Sequence, residues 1–379
     1  MHLAINAWFW DQPTTGSGQT VRYLVPALVE AEPELEVTLI APPWAAADTI
    51  SLPLRVRWLT APCRPGHLGK VWFEQVTFPR LCHRVAADLA HVPYFACPLR
   101  PSVPTLVTIH DLIPMVLPQY RGGPAVRLYT ALAAASAGGA TRILTDSLAS
   151  QQDVFACLNA AREKVQVVYL AQAPMYRIVV EEEQAVVRRK YQLPDEFVLW
   201  LSGFDVRKNA RALLHAYTWV QESLGNEYPL VMAGQLPTSD TSFFPDPRPI
   251  AARLGLAEGV YFPGSIDEAD KPALYTAATA FAYPSRYEGF GLPVLEAMAC
   301  GTPVVTTNAA SLPEVAGDAA FTLDPDDTRG LAAAIISLCC DAELQQAMRH
   351  AGLAQAARFS WQRTADETLA AYRRALSSP

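Results

Sequence analysis

Short apolar runs alternate with longer segments of helical period throughout the first half of the chain. LAINAW, VTLIA, RVRWL, DLAHVP, TLVTIH, RILTDS and VQVVYL read as buried strands. The loop DQPTTGSGQ and a helix over about 20–30 follow the first of them, and further helices are expected over 71–85 and 125–137. A charged stretch over about 171–192 holds Glu181, Glu182 and Glu183, then Arg188, Arg189 and Lys190. It predicts a linker running into a solvated helix. A second alternating series begins at FVLWLSG and continues through a helix over 210–224, the strand PLVMAG, a Pro-rich loop and the strand VYFPG. A helix over 271–277, the strand AFAYP and a closing helical segment, WQRTADETLAAYRRAL, complete it. Strands alternating with helices predict parallel α/β sheets, and two such series predict two tandem doubly wound, Rossmann-like domains facing a cleft. The expected boundaries are 1–180 and 181–361. In such sheets ligands bind outside the carboxyl ends of the strands.

A length of 379 residues agrees with two domains. Hydrophobic residues at 51% against 18% charged exclude a disordered chain. No apolar run is long enough for a membrane-spanning helix, and MHLAINAWFWDQ carries no Lys or Arg ahead of an apolar stretch, which speaks against a secretory signal. Seven scattered cysteines without C-x-x-C spacing read as reduced thiols in a cytoplasmic protein. A net charge of −7 disfavours nucleic acid as a partner.

The most informative segment is PSRYEGFGLPVLEAMACGTPVV, residues 284–305. A buried strand ends at Tyr283, a Gly-rich loop follows, and a helix starts near Leu292 with Pro293 in its first turn. Gly289 and Gly291 let the backbone approach a ligand closely, and a helix start favours an anion. Glu288 lies in the loop and Glu296 one turn inside the helix, so their carboxylates can reach different parts of one ligand. Taken singly, each residue also fits a plain role: a solvated Glu288, an ordinary helical Glu296 and glycines that serve the turn. The segment resembles the glutamate-x7-glutamate signature of retaining, nucleotide-sugar-dependent glycosyltransferases of the GT-B fold, sequence family four (glycosyl transferases group 1). The resemblance covers nearly the whole chain. It implies that Glu288 contacts the donor sugar and Glu296 holds the ribose hydroxyls. Gly289, Phe290, Gly291 and Leu292 would meet the sugar and phosphates through their backbone.

SGFDVRKN, residues 202–209, places Arg207 and Lys208 at a strand's carboxyl end, where a diphosphate leaving group needs its charge neutralised. An Arg-Lys pair on a solvated loop is the plain alternative. The resemblance implies that Gly203 and the two cations bind the donor's pyrophosphate. The spacer from Gly203 to Arg207 is about one residue shorter than in the family, which leaves open which cation meets the β-phosphate. In VTIHDLIP, His110 could be a base, a hydrogen-bond donor to a sugar hydroxyl, or a structural residue. The resemblance implies that it closes on the donor sugar and positions it. Gly16 and Gly18 in PTTGSGQ lack the G-x-G-x-x-G order of a dinucleotide site. The resemblance turns them towards the diphosphate and acceptor, although a strand-to-helix turn also accounts for them. Ser265 and Ile266 in VYFPGSI would lie near the donor base, and the last helix, over about 362–379, would pack back on the first domain.

Asp324-Pro325-Asp326 has the D-x-D spacing of a metal site but reads as a turn before a helix. HLGKVWFEQVTFPRLCHRV carries Lys70, Arg80 and Arg84 among Trp72, Phe73 and Phe78. It suits either a helix on an anionic lipid surface or a core helix with a basic outer face. The expectation is a cytoplasmic enzyme of polysaccharide biosynthesis, in weak peripheral contact with the inner face of the membrane. It would move a sugar from a nucleotide diphosphate donor, GDP-mannose ahead of UDP-sugars, to a carbohydrate or lipid-linked carbohydrate hydroxyl. Arg207 and Lys208 would make a metal unnecessary, and no cofactor is implied. A nucleotide-sugar epimerase, or a nucleotide-sugar-binding protein without turnover, is the alternative.

Overall fold

The computed structural model describes residues 1–45 and 52–377. The chain forms two compact units, Met1–Ala171 with Ser360–Pro379, and Gln172–Phe359. The first sheet contains β1 (His2–Asn6), β2 (Glu36–Ala41), β3 (Val56–Thr60), β4 (Leu89–Val92), β5 (Thr105–Ile109), β6 (Arg142–Thr145) and β7 (Val165–Val167). The second contains β8 (Val198–Leu201), β9 (Leu230–Ala233), β10 (Val260–Gly264), β11 (Ala280–Tyr283), β12 (Val304–Thr307) and β13 (Ala320–Leu323). Among the described residues the strand orders are 3-2-1-4-5-6-7 and 10-9-8-11-12-13, and the strand pairings are parallel. Both are doubly wound. The order reverses between β1 and β4 in the first sheet and between β8 and β11 in the second, and such reversals open a crevice beyond the strand ends.

Strand alternation explains how both faces are covered. Leu3 and Ile5 of β1 join a core with Leu24, Val25 and Leu28 of the helix Gly16–Ala31 and with Leu369 and Tyr372 of the helix Trp361–Ser377. Ala4, between them, faces the opposite core with Phe73, Phe78 and Val107. Such two-faced burial is why these strands read as continuous apolar runs. The last helix is tied down by His91 of β4, which is fully buried. Its Nδ1 lies 2.7 Å from the Tyr372 hydroxyl and its Nε2 lies 2.8 Å from the Thr108 hydroxyl. Burial, with the charge of His110 adding, pushes its pKa down to about 3, so the ring is neutral.

Four boundaries differ from the expectation. The first unit ends at Ala171 rather than 180 and resumes at Ser360 rather than 362. The segment after Ala171 belongs with the second unit because the Tyr176 hydroxyl donates to Glu268 (2.7 Å) and the Val179 N–H reaches Thr276 (3.4 Å). The helix expected from residue 20 begins at Gly16, capped by the Thr15 side chain, which accepts from the Gly18 N–H. The helix expected over 71–85 starts at His67 and passes through one π turn, Phe73–Thr77, before continuing as Phe78–Arg84. Residues 378 and 379 of the expected last helix lie outside the described residues.

Candidate active site

The reversal between β8 and β11 brings together the two segments that carry the strongest chemistry. After β8 the chain turns through Ser202 and Gly203 into a single tight turn, Val206–Lys208. Asn209 then takes a left-handed conformation (φ 56°) and anchors its side chain on the Pro325 carbonyl, 2.8 Å away. After β11 the loop Pro284–Gly291 leads into the helix Leu292–Ala299. Gly291 has φ +112°, and a β-carbon there would approach Leu312 to 3.0 Å, so glycine is required. Ser311 fixes this loop by donating to the carbonyls of Glu288 (2.9 Å) and Phe290 (2.6 Å). Gly289 lies between those two carbonyls, and Leu292 opens the helix.

At the junction the Glu288 carboxylate is saturated with donors. Oε2 pairs with Arg207 at 2.6 Å, and Oε1 accepts from Lys208 at 2.7 Å, Ser285 at 2.6 Å and Tyr283 at 2.9 Å. Lys208 also donates to the Tyr283 hydroxyl (2.5 Å), closing a three-membered ring of hydrogen bonds. Arg207 reaches the Tyr287 carbonyl at 2.8 Å and faces Asp205 at 3.5 Å. Burial raises the Glu288 pKa, but the fields of Lys208 and then Arg207 outweigh it and hold the carboxyl at about 2. Burial lowers the Lys208 pKa, only partly offset by Glu288. An ammonium has three N–H donors, and Lys208 spends two on Tyr283 and Glu288, leaving one for an incoming oxygen.

Glu296 does not join this cluster. It is buried inside the helix and accepts from the Tyr275 hydroxyl at 3.1 Å. Burial pushes its pKa up, with Lys271 opposing and Glu268 adding, to about 7. Tyr176 packs edge-on against Tyr275, with ring centroids 6.0 Å apart. Glu288 sits on the cations, and Glu296 lies apart from them beside Tyr275 and Tyr176, with the Glu268 carboxylate adding to its field. Ser265 and the half-buried Ile266 follow β10, beside Gly234 at the end of β9, whose N–H donates to the Gly264 carbonyl at 2.8 Å. With the exposed Gly203 they edge the same ends of neighbouring strands.

His110 belongs to the first unit, at the end of β5. Both its ring nitrogens face acceptors: Nδ1 lies 2.6 Å from Asp146, and Nε2 lies 3.0 Å from the Pro93 carbonyl. Burial lowers its pKa, but Asp146, the Pro93 carbonyl and Asp111 together outweigh this and raise it. The geometry favours the doubly protonated ring, so a base role is disfavoured. Charged His110 stabilises the folded state below the ordinary imidazole pKa, and that contribution fades as pH rises through the raised value. Replacing Asp146 with asparagine is expected to move the His110 titration midpoint downwards in proton NMR. An unmoved midpoint would show that Asp146 does not set the charge.

Gly16 and Gly18 lie in the first turn of their helix rather than in the loop. A β-carbon on Gly18 would sit 2.0 Å from the Gln12 carbonyl oxygen, whereas one on Gly16 would meet nothing within 4 Å. Gly18 thus has a packing reason to be glycine. Asp324, Pro325 and Asp326 form a turn: Asp324 accepts from the Asp326 N–H at 2.8 Å, Asp326 pairs with Arg286, and Asp327 caps the helix Thr328–Cys340. Tyr283, Ser285, Tyr275, Tyr176 and Asp146 were not singled out from sequence. Ser285 lies within the motif and Tyr283 directly precedes it, so the signal that could have found them is a hydroxyl within a few residues of Glu288. Nothing local marks Tyr176 or Asp146.

Residues 14–171 match the family model Glycosyltransferase Family 4, and residues 183–355 match Glycosyl transferases group 1. The chain is 35% identical over 285 residues to the O-antigen chain mannosyltransferase B of Escherichia coli, covering 75% of this chain and 73% of that one. It is 32% identical over 286 residues to the serotype-specific mannosyltransferase WbdA of Escherichia coli. That match covers 72% of this chain and 34% of the relative, so the chain spans about a third of that longer protein. Sucrose-phosphate synthase from Thermosynechococcus elongatus superposes with a TM-score of 0.76 at 20% identity, covering 99% of this chain and 98% of the other, a likeness of fold. With the doubly wound sheets and the cation–glutamate junction, these matches identify the chain as a member of glycosyltransferase family four, the glycosyl transferases group 1, with the GT-B fold.

Proposed function

We propose that this glycosyltransferase moves a mannosyl unit from GDP-mannose to a hydroxyl of a carbohydrate or lipid-linked carbohydrate, with retention at the anomeric carbon and without a metal. The observation that carries the reading is the buried Arg207–Lys208–Glu288 junction at the reversal of the second sheet. A nucleotide diphosphate is a poor leaving group until the charge developing on its β-phosphate is met. Two cations preorganised in a water-poor crevice supply that charge with little reorganisation. Lys208 meets the phosphate through its remaining N–H, and Arg207 adds the field of a second cation. Glu288 keeps both in place. Glu296 receives the ribose hydroxyls, with Ser265 and Ile266 along the base, Gly203 beside the cations at the pyrophosphate, and Gly289, Phe290, Gly291 and Leu292 along the sugar and phosphates.

The mannosyl donor is supported by the names of the two Escherichia coli relatives. A lipid-linked acceptor is supported by a groove of about 730 Å³ in the first unit, walled by Pro43, Pro62, Pro65, Leu68 and Trp72. Leu68 is 88% exposed and Trp72 is 59% exposed, apolar surface suited to the border of a lipid headgroup layer. No helix among the described residues is long and apolar enough to cross a membrane.

The reading is tested by offering GDP-mannose and a panel of UDP-sugars and following nucleotide diphosphate release, with and without chelator. Release from GDP-mannose that survives chelation is expected. Release only from UDP-sugars overturns the donor, and release that depends wholly on a divalent ion overturns the cation mechanism.

A further inference from the structure

Tyr176 lies in the segment that leads from Ala171 into the second unit, and none of the roles above uses its hydroxyl. Tyr176 and Tyr275 are buried, and each directs a phenol at a carboxylate. Tyr176 donates to Glu268 at 2.7 Å, and Tyr275 donates to Oε2 of Glu296 at 3.1 Å. The two rings meet edge-on, and the Tyr176 hydroxyl faces Glu296 as well as Glu268. Burial, and after it the facing carboxylates, raise both phenols, so each stays protonated and acts towards these acids as a donor.

The two acids differ in what neutralises them. Glu268, in the turn Glu268–Asp270, pairs with Lys271 at 2.5 Å. Glu296 is 6% exposed, and its hydrogen-bonding partner is a neutral phenol. The groups that face it are Glu268 from that turn, Lys271 and Tyr275 from the helix Lys271–Ala277, Tyr176 from the entering segment, and the Cys300 thiol that follows its own helix. Stability does not account for an acid here. A glutamine of the same shape would accept from Tyr275 without the cost of burying a charge. The Tyr275 contact is on Oε2 and leaves Oε1 without a hydrogen bond among the described residues. A carboxylate arranged in this way suits neutral O–H donors, and a pair of neighbouring hydroxyls supplies two.

We propose that Tyr176 is a positioning residue for the donor: its hydroxyl engages Glu268 and, with Tyr275, presents the Glu296 carboxylate to the ribose hydroxyls. The ribose as the ligand of Glu296 rests on the function proposed above. A phenol shared between two acids gives each a donor and weakens their mutual repulsion, so the ionised form of Glu296 needs no proton between them. Ribose hydroxyls donate to that ionised form. Recognition of the ribose therefore strengthens as pH rises through the Glu296 midpoint of about 7 and fades below it.

The test measures the affinity of the full chain for GDP and UDP and for their 2′,3′-dideoxy forms, on both sides of that midpoint. Carbon-13 NMR of glutamate-labelled protein follows the Glu296 titration, assigned with Glu296→Gln. Each dideoxy form carries the same phosphates as its parent, so the affinity ratio reports the ribose hydroxyls alone. In the wild type the parent nucleotide is expected to bind ~10-fold more tightly above the midpoint, and the ratio should shrink below it. Tyr176→Phe keeps the ring; it should raise the Glu296 midpoint and cut the ratio by ~5-fold at neutral pH. Glu268→Gln removes the like charge and should do the opposite, lowering the midpoint and extending ribose recognition to lower pH. Damage to the fold would not produce that reversal, so Glu268→Gln decides if Tyr176→Phe loses its thermal midpoint. A Glu296 midpoint unmoved by these substitutions overturns the proposal, as does an unchanged ratio in a folded Tyr176→Phe. Absence of ribose discrimination already in the wild type would sink the ribose assignment, and the Glu296 midpoints would still decide whether Tyr176 governs that carboxylate.

Discussion

Replacing Lys208 with methionine is expected to lower turnover at saturating donor by ~10²–10³-fold, the usual cost of removing one preorganised donor from a developing oxyanion. Methionine keeps most of the volume, so packing changes little, but the hydrogen bonds to Tyr283 (2.5 Å) and Glu288 (2.7 Å) disappear. The effect should fall on kcat rather than on nucleotide affinity, because the charge is needed chiefly when the bond to phosphate breaks. Arginine at this position restores charge but not the compact point contact, so Lys208→Arg should recover only part of the loss. Steady-state kinetics with a nucleotide-binding titration separates the two quantities. Normal kcat in Lys208→Met would remove Lys208 from the leaving-group role, whatever happened to stability.

The second large effect is on the fold of the second unit. Glu288→Ala leaves Arg207 and Lys208 buried side by side without their shared counter-ion, and breaking a buried pair from one side costs about 3–5 kcal/mol. Hydrogen exchange of the β8 and β11 amides reads this locally, which matters because two units need not unfold together. Full protection in Glu288→Ala would mean that the cations find solvent or another acid. The pH dependence has a definite sign. Glu288 titrates at about 2 in the folded protein against an ordinary 4.5, so its contribution is present above 4.5 and is lost as pH falls towards 2. In Glu288→Gln that acid-sensitive part should be missing, and an unaltered acid profile would assign it to other carboxylates.

The chain's own pattern determined the architecture because strand and helix periods, and the turns between them, are local properties. Two-sided burial made β1, β5, β8 and β11 visible as unbroken apolar runs, and the helices Ala210–Leu224, Lys271–Ala277 and Leu292–Ala299 stand where the periodicity places them. The Glu288–Glu296 spacing and the adjacent Arg207 and Lys208 were equally legible, since each lies within a few residues of a strand end. Pairing between distant segments was not. That Glu288 lies on Arg207, some eighty positions away, follows from β8 and β11 being neighbours across the reversal of the sheet, and strand order is a property of the whole fold. The same holds for Asp146 beside His110 and for Tyr176 against Glu268. Electrostatic character depends on burial as well as residue type: one acid of the pair is held at about 2 and the other is raised to about 7. Only the tertiary structure, by deciding which charges are excluded from water together, separates them.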